Sequence, residues 1–276
     1  MTLLELDDVS FDYPDGGLGL AHCSLAIARG SRNALIGANG AGKTTLFKHC
    51  NGLLRPRSGT VRYAGAPLDY GRAGLRALRS RVGLVFQNPD HQLFSASVAE
   101  DVSFGPVNLG LPVDTVRMRV DAALAAVGMR GYADKAVHNL SFGQKKRVCI
   151  AGVLAMEPEL LILDEPMAGL DQRMRGELQA VLDDLQARGI TLLLATHDID
   201  FAYRWAQRVH LISDGACLAS LDGAELAHAD AQLAVLGMPL PSVVELQRGL
   251  AARGVLPAGA QPRSQAELLE LLAAQE

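Results

Sequence analysis

In the stretch GANGAGKTT, Gly37, Gly42, Lys43 and Thr44 stand at the spacing of a phosphate-binding loop, after an apolar run at residues 34–36 and before a helix-forming stretch ending near Asn51 and Gly52. Glycines there let backbone N–H groups curl around phosphates, and a helix N-terminus favours the anion. Lys43 can reach β- and γ-phosphates, and the Thr44 hydroxyl can ligate Mg²⁺. A Gly-rich turn that merely joins strand to helix is the plain alternative, disfavoured because motif and context agree. A second stretch, ELLILDE at residues 159–165, reads as a buried strand ending in two carboxylates. One of them can hold Mg²⁺ while the other polarises a water: Asp164 is assigned to the metal and Glu165 to the water, a general-base role that requires hydrogen-bond reach to the nucleophile. Taken alone, this stretch could be only an acidic turn before Pro166. His197, after TLLLAT, could orient a γ-phosphate or water, although a lone histidine is more often surface or core. Gln87 offers an amide able to coordinate Mg²⁺ and hydrogen-bond water, against the reading of an exposed loop glutamine.

These residues need a scaffold that brings them together. The runs at 34–36, 82–86, 160–163 and 191–195 are short and continuously apolar, which predicts parallel strands covered by helices on both faces. In open α/β sheets ligands bind outside the carboxyl ends of the strands, and each run leads directly into one of the polar groups above. Residues 3–11 and 22–27 alternate with a period of two, predicting half-buried antiparallel strands. Residues 90–156 read as a helical subdomain, with a helix over 114–127 stopped by Gly128. Ser141 in LSFGQ reads as the cap of a further helix, whose N-terminus could face an anion. The Lys145-Lys146-Arg147 run after it reads as a solvated face. From about 223 onward, Pro239, Pro241, Pro257 and Pro262 separate Leu/Ala-rich segments, including 266–274. This predicts a small helical appendage, with a partly disordered terminus as the alternative. The expected division is therefore 1–222 and 223–276.

Composition narrows the classes. With 276 residues, 49% hydrophobic and 20% charged, the chain can bury a core and is not a low-complexity or disordered scaffold. Its formal charge of −4 gives no general attraction to nucleic acid or anionic lipid. Cys23, Cys50, Cys149 and Cys217 lack zinc-ligand spacing. The opening MTLLELDDVSF lacks a secretory pattern, so a reducing cytosol is expected. Apolar runs such as 150–156 fall short of the roughly 20 residues that span a bilayer.

Taken in order, GANGAGKTT, Gln87, LSFGQ, LLILDEP, AGLD at 168–171 and His197 resemble the ATP-binding subunits of ABC transporters over about residues 3–220. The resemblance implies an α/β nucleotide-binding domain: a P-loop parallel-sheet core, an antiparallel β subdomain and a helical subdomain. It implies ATP and Mg²⁺ as cofactors, with Thr44, Gln87 and Asp164 on the metal and Glu165, His197 and Gln87 in hydrolysis. Gly37, Asn39, Gly40, Gly42, Lys43, Thr44 and Thr45 would hold ATP, and Tyr13 looks like the aromatic that stacks on adenine. It further implies a head-to-tail homodimer in which Ser141, Gly143 and Gln144 complete the partner's site and Asp171 lies at the dimer contact.

Residues 87–111, QNPDHQLFSASVAEDVSFGPVNLGL, are similar to the ATPases of energy-coupling-factor importers. LSFGQKKRVCIAGVLAM looks most like the cobalt and nickel subunits, with Phe142 in place of the commoner glycine. Thr44-Thr45, Cys149 and Met167 depart from the commoner Ser-Thr, Ala and Thr, and none removes a catalytic group. The implied protein is a peripheral ATPase on the cytoplasmic face of the cell membrane. It would work with a transmembrane coupling subunit and a metal-binding membrane subunit, and no nucleic-acid partner is expected. Three competing readings share parts of this pattern: a general energy-coupling-factor ATPase for vitamin uptake, a soluble ABC ATPase acting on DNA or ribosomes, and a nucleotide-binding module without turnover. The intact Glu165 and His197 speak against the last.

Overall fold

A computed structural model describes residues 1–257 and 259–274; positions 258, 275 and 276 of the C-terminal extension lie outside the described residues. The chain opens with β1 (Thr2–Asp12) and β2 (Leu18–Ala28), the antiparallel pair expected from their alternation. Next come β3 (Arg32–Ile36) and α1 (Lys43–Cys50), then β4 (Ser58–Tyr63), β5 (Ala66–Pro67), α2 (Arg72–Arg81) and β6 (Val82–Val85). The helical region holds α3 (Val98–Asn108), α4 (Val113–Ala126) and α5 (Phe142–Leu154). It is followed by β7 (Leu160–Asp164), α6 (Gln172–Ala187), β8 (Thr191–Thr196), α7 (Ile199–Trp205), β9 (Arg208–Ser213) and β10 (Ala216–Asp222). The chain ends in α8 (Asp230–Val235), α9 (Ser242–Ala252) and α10 (Gln265–Ala273).

Two sheets result. One is antiparallel, in the order β2-β1-β4-β5, and the other runs β10-β9-β3-β8-β7-β6. In the second, β9, β3, β8, β7 and β6 are parallel and β10 is an antiparallel edge. Because side chains alternate across a strand, the all-apolar strands feed two cores. Leu161, Leu163, Leu192 and Leu194 join the core on one face, and Leu160, Ile162, Leu193 and Ala195 that on the other. All four runs read from the sequence are parallel strands of this sheet. A fifth parallel strand, β9, is broken in its apolar pattern by His210, which is fully buried. Its Nδ1 lies 2.8 Å from Ser220 Oγ, and its Nε2 3.5 Å from Asn33 Oδ1.

Burial, followed by the nearby Arg208 charge, pushes the His210 imidazole down to about 4. Between pH 6.5 and 4 the unfolded chain therefore binds a proton that the folded chain refuses, so stability is complete above pH 6.5 and falls as pH drops toward 4. The full effect is about 3 kcal/mol. Urea midpoints measured from pH 7.5 to 4.5 are expected to decline in this window, with a shallower decline in His210→Gln; parallel declines would exclude His210 as a source.

The helices of the middle region are set by local signals. Ser97 and Glu100 form a capping box on α3, with Glu100 N–H donating to Ser97 Oγ at 3.3 Å and Ser97 N–H to Glu100 Oε2 at 3.1 Å. Gly128, at φ +68°, ends α4 as expected. The tail is helical and packs on the same core: Leu226, Leu233, Val243, Val244, Leu256 and Leu268 are buried with the sheet residues. Arg263 fastens it further, donating to the carbonyls of Tyr203 (2.9 Å) and Ala206 (2.8 Å) at α7. No helix among the described residues is long and apolar enough to cross a membrane.

Candidate active site

Parallel strands in the order β3-β8-β7-β6 place four C-terminal ends side by side on one edge. The phosphate loop follows β3, His197 follows β8, Asp164 and Glu165 close β7, and Gln87 follows β6. Gly37 begins the loop where a Cβ would lie 2.2 Å from the Ile212 carbonyl oxygen, so no other residue fits. Gly42, at φ +102°, caps α1 without a side-chain hydrogen bond, which leaves the first N–H groups of the helix to an anion.

The loop borders a cleft of ≈ 410 Å³ that also takes in Tyr13, Asn39, Gly40, Thr45 and Gln87. Lys43 reaches across the loop, its Nζ donating to the carbonyls of Gly37 at 2.6 Å and Ala38 at 3.0 Å. Burial holds this ammonium below its ordinary value, opposed by the carboxylates of Glu165 and Asp164. Thr44 Oγ1 donates to Asp164 Oδ2 at 2.6 Å. Asp164 is held above the usual carboxylate range by burial, opposed by the Thr44 bond and Lys43. The hydroxyl, carboxylate and Gln87 amide are all oxygen donors at one cleft, a set suited to Mg²⁺.

Glu165 sits at φ +46°, in the turn after β7. Its Oε2 meets His197 Nδ1 at 3.0 Å, while its Oε1 is buried without a partner. The His197 side chain is 69% exposed, so the carboxylate is anchored from the solvent side and keeps one oxygen for another ligand. Tyr13 hydroxyl lies 3.0 Å from Thr45 Oγ1, and its ring meets Phe11 edge-on at 5.1 Å.

The LSFGQ residues are placed elsewhere. None of them lines this cleft in the same chain. Ser141 and Gln144 form a capping box on α5, and Gly143 packs where a Cβ would meet Met174 Sδ at 2.9 Å. Asp171 caps α6 through the Met174 N–H, 2.8 Å from its Oδ1, and is exposed.

One expectation is corrected here. Lys146, read as part of a solvated face, is only 3% exposed. Helical periodicity turns it inward with Gly143 and Ile150, while Lys145 pairs with Asp90 at 2.7 Å and Arg147 pairs with Glu177. Lys146 Nζ donates to the carbonyls of Glu165 (3.1 Å), Pro166 (2.9 Å) and Ala168 (2.7 Å). Burial pushes its ammonium down to about 8, opposed by Glu165 and Cys149. Its signal in the sequence was the three-residue spacing from Gly143, masked by the charged neighbours.

A phosphate loop after β3, two adjacent carboxylates at the end of β7 and a histidine after the strand between them are the arrangement of a P-loop ATPase. The model of the ABC transporter family matches residues 20–168. The chain is 44% identical over 252 residues to the energy-coupling factor transporter ATP-binding protein EcfA of Methanothermobacter thermautotrophicus, covering 91% of this chain and 81% of that protein. It is 46% identical over 271 residues to a putative ABC transporter ATP-binding protein of Streptomyces coelicolor, covering 98% and 95%. Among solved structures, it resembles cbiO1 of Clostridium perfringens, part of the ABC transporter complex cbiONQ, with a TM-score of 0.77 and 44% identity over 89% of this chain and 98% of that one. A dimeric ATP-binding cassette bound to ADP and Pi aligns at a TM-score of 0.72 and 25% identity, covering 80% and 98%. The chain belongs to the ABC transporter family, as an ATP-hydrolysing subunit of the energy-coupling-factor type.

Proposed function

We propose that the chain is the motor of an energy-coupling-factor importer for a transition-metal ion, cobalt first and nickel second, working as a homodimer on the cytoplasmic face of the membrane. The observation that carries the hydrolytic half is Glu165, a residue of the phosphate-loop cleft anchored by His197 through one oxygen and left with a second oxygen that is buried and unpartnered. ATP would enter with its adenine on Tyr13 and its phosphates on the loop and the α1 N-terminus. Lys43 would exchange the Gly37 and Ala38 carbonyls for phosphate oxygens. Thr44, Gln87 and Asp164 would hold Mg²⁺, which supplies charge neutralisation at the β- and γ-phosphates. Glu165 Oε1 accepts the proton of the attacking water as its oxygen bonds to the γ-phosphorus. The bond to the bridging oxygen breaks, leaving ADP and phosphate. Ser141, Gly143 and Gln144 of the second copy would close over the nucleotide, and Asp171 would lie at the seam.

A second cleft supports the membrane partner. A groove of ≈ 1000 Å³ runs between α2, α3 and α5, lined by Leu53, Leu75, Phe94, Phe104, Leu109 and Met156 with Arg72, Arg76 and Arg79. Phe94 and Phe104 meet edge-on at 4.7 Å, yet are 65% and 52% exposed. One segment, residues 86–94, thus puts Gln87 in the nucleotide cleft and Phe86, Gln92 and Phe94 in this groove. Nucleotide state could therefore be passed to a coupling subunit seated there. The cargo rests on the resemblance of the α5 segment to cobalt and nickel subunits and on the likeness to cbiO1.

Affinity purification of the tagged chain from detergent-solubilised membranes of its host tests the partner class and the cargo together. A transmembrane coupling protein with a metal-binding membrane subunit supports the reading, vitamin-binding subunits move it to the general importer, and ribosomes or DNA-bound proteins alone overturn it. Phe94→Glu is expected to lose most of the membrane partner in this purification while keeping the ATP-induced rise in melting temperature. Undiminished recovery would remove the groove from the proposal.

A further inference from the structure

We infer that Lys146 is a positioning residue for hydrolysis: its ammonium gathers the turn that follows Glu165 and ties the place of that carboxylate to α5, the helix whose N-terminus carries Ser141 and Gly143. The inference rests on the reading of Glu165 as the residue that takes the proton from water. An ammonium has three protons, and Lys146 Nζ spends all three on carbonyls of one turn, those of Glu165, Pro166 and Ala168. Three carbonyl oxygens aimed at one point repel one another, and a buried cation is what draws them together.

The turn is tight. Glu165 has φ +46°, Gly169 has φ +75°, and the Ala168 N–H returns to the Glu165 carbonyl at 3.1 Å. Without the cation, the carbonyls would splay and swing the Glu165 side chain away from the cleft. Phe142 closes the remaining side, its ring centroid 5.1 Å from Lys146 Nζ. Gly169 makes room for that ring, since a Cβ there would lie 2.9 Å from Phe142 Cε1. The phenylalanine that stands where glycine is commoner thus completes the hold on this turn. Any displacement of α5 caused by a nucleotide at its N-terminus would be felt by Glu165 of the same chain.

The test compares K146M, which keeps the aliphatic stem without a donor, with K146Q, whose amide can still donate to two carbonyls, and with E165Q. All three are made in the full chain and measured for steady-state ATPase and for the melting-temperature shift with Mg·ATP. K146M is expected to lose about 100-fold in kcat, the scale of a misplaced catalytic group, with KM and the melting shift unchanged. K146Q is expected to recover most of the lost rate. Wild-type kcat in K146M beside an inactive E165Q overturns the inference about Lys146 alone. Wild-type turnover in E165Q overturns the reading of Glu165 and the inference with it. Equal losses in K146M and K146Q, a lost melting shift, or failure of both to fold would make Lys146 merely structural and overturn the inference as well.

Discussion

Glu165→Gln is expected to bind Mg·ATP as the wild type does and to lose turnover by about 10²- to 10⁴-fold, the range supplied by a positioned general base. The amide is isosteric with the carboxylate, so the substitution changes charge and proton affinity, not shape. The backbone around it is held independently of the side chain, because Lys146 bonds to the Glu165 carbonyl oxygen and not to its carboxylate. His197 can still bond to the amide oxygen at the Oε2 position. What disappears is the acceptor at Oε1, the one buried oxygen of this residue with no partner in the protein. On the proposed reading affinity rests on the loop glycines, Lys43 and the α1 N-terminus; the substitution takes from Lys43 one of two carboxylates that favour its ammonium and leaves its hydrogen bonds in place. Phosphate release measured in single-turnover and steady-state regimes checks the expectation, together with the melting-temperature shift under Mg·ATP. Undiminished release would falsify the role given to Glu165, whereas loss of the melting shift would mean that its charge serves binding.

Much of this arrangement can be read from residue order, for a physical reason. Buried parallel strands must be apolar throughout, so 34–36, 160–163 and 191–195 stand out, and whatever polar residue ends them is pushed to the ligand edge. The same logic hid β9. His210 and Arg208 break its apolar run, and only the fold supplies the Asn33 and Ser220 side chains that let an imidazole sit at the centre of the sheet. β5 and β10 leave a weak pattern because edge strands tolerate polar residues, and β4, between β1 and the two-residue β5, buries only Val61 fully. Lys146 was misread for a different reason. Charge is a property of the residue, but whether it faces water is a property of helical phase and of a turn twenty residues away in sequence. Glu165 shows both sides of the matter: its position at a strand end was legible, and its bond to His197 required the strand order β8-β7.

Lys43→Met is expected to abolish both turnover and nucleotide binding while leaving the ligand-free fold nearly as stable as before. Two opposing effects decide the second half. The ammonium is buried, and burial holds its proton affinity below the ordinary value, so the charge is kept at a cost. Methionine keeps the stem and removes that cost, but strips the Gly37 and Ala38 carbonyls of a donor, at about 1–3 kcal/mol for a buried group left unsatisfied. These contributions offset each other in the empty protein. With nucleotide present there is no such offset, because the polyphosphate has then lost the cation that the loop was folded to present. Ligand at a hundred times its dissociation constant stabilises a fold by about 2.7 kcal/mol, or roughly 5 °C for a chain of this size, and that increment should vanish in the variant. Differential scanning fluorimetry with and without Mg·ATP reads it directly. A wild-type shift in the variant would show that the loop binds phosphate through its backbone alone. Together the two variants separate the functions of one cleft: glutamine at 165 keeps the shift and loses turnover, and methionine at 43 loses both, because the first acts on the water and the second on the phosphates.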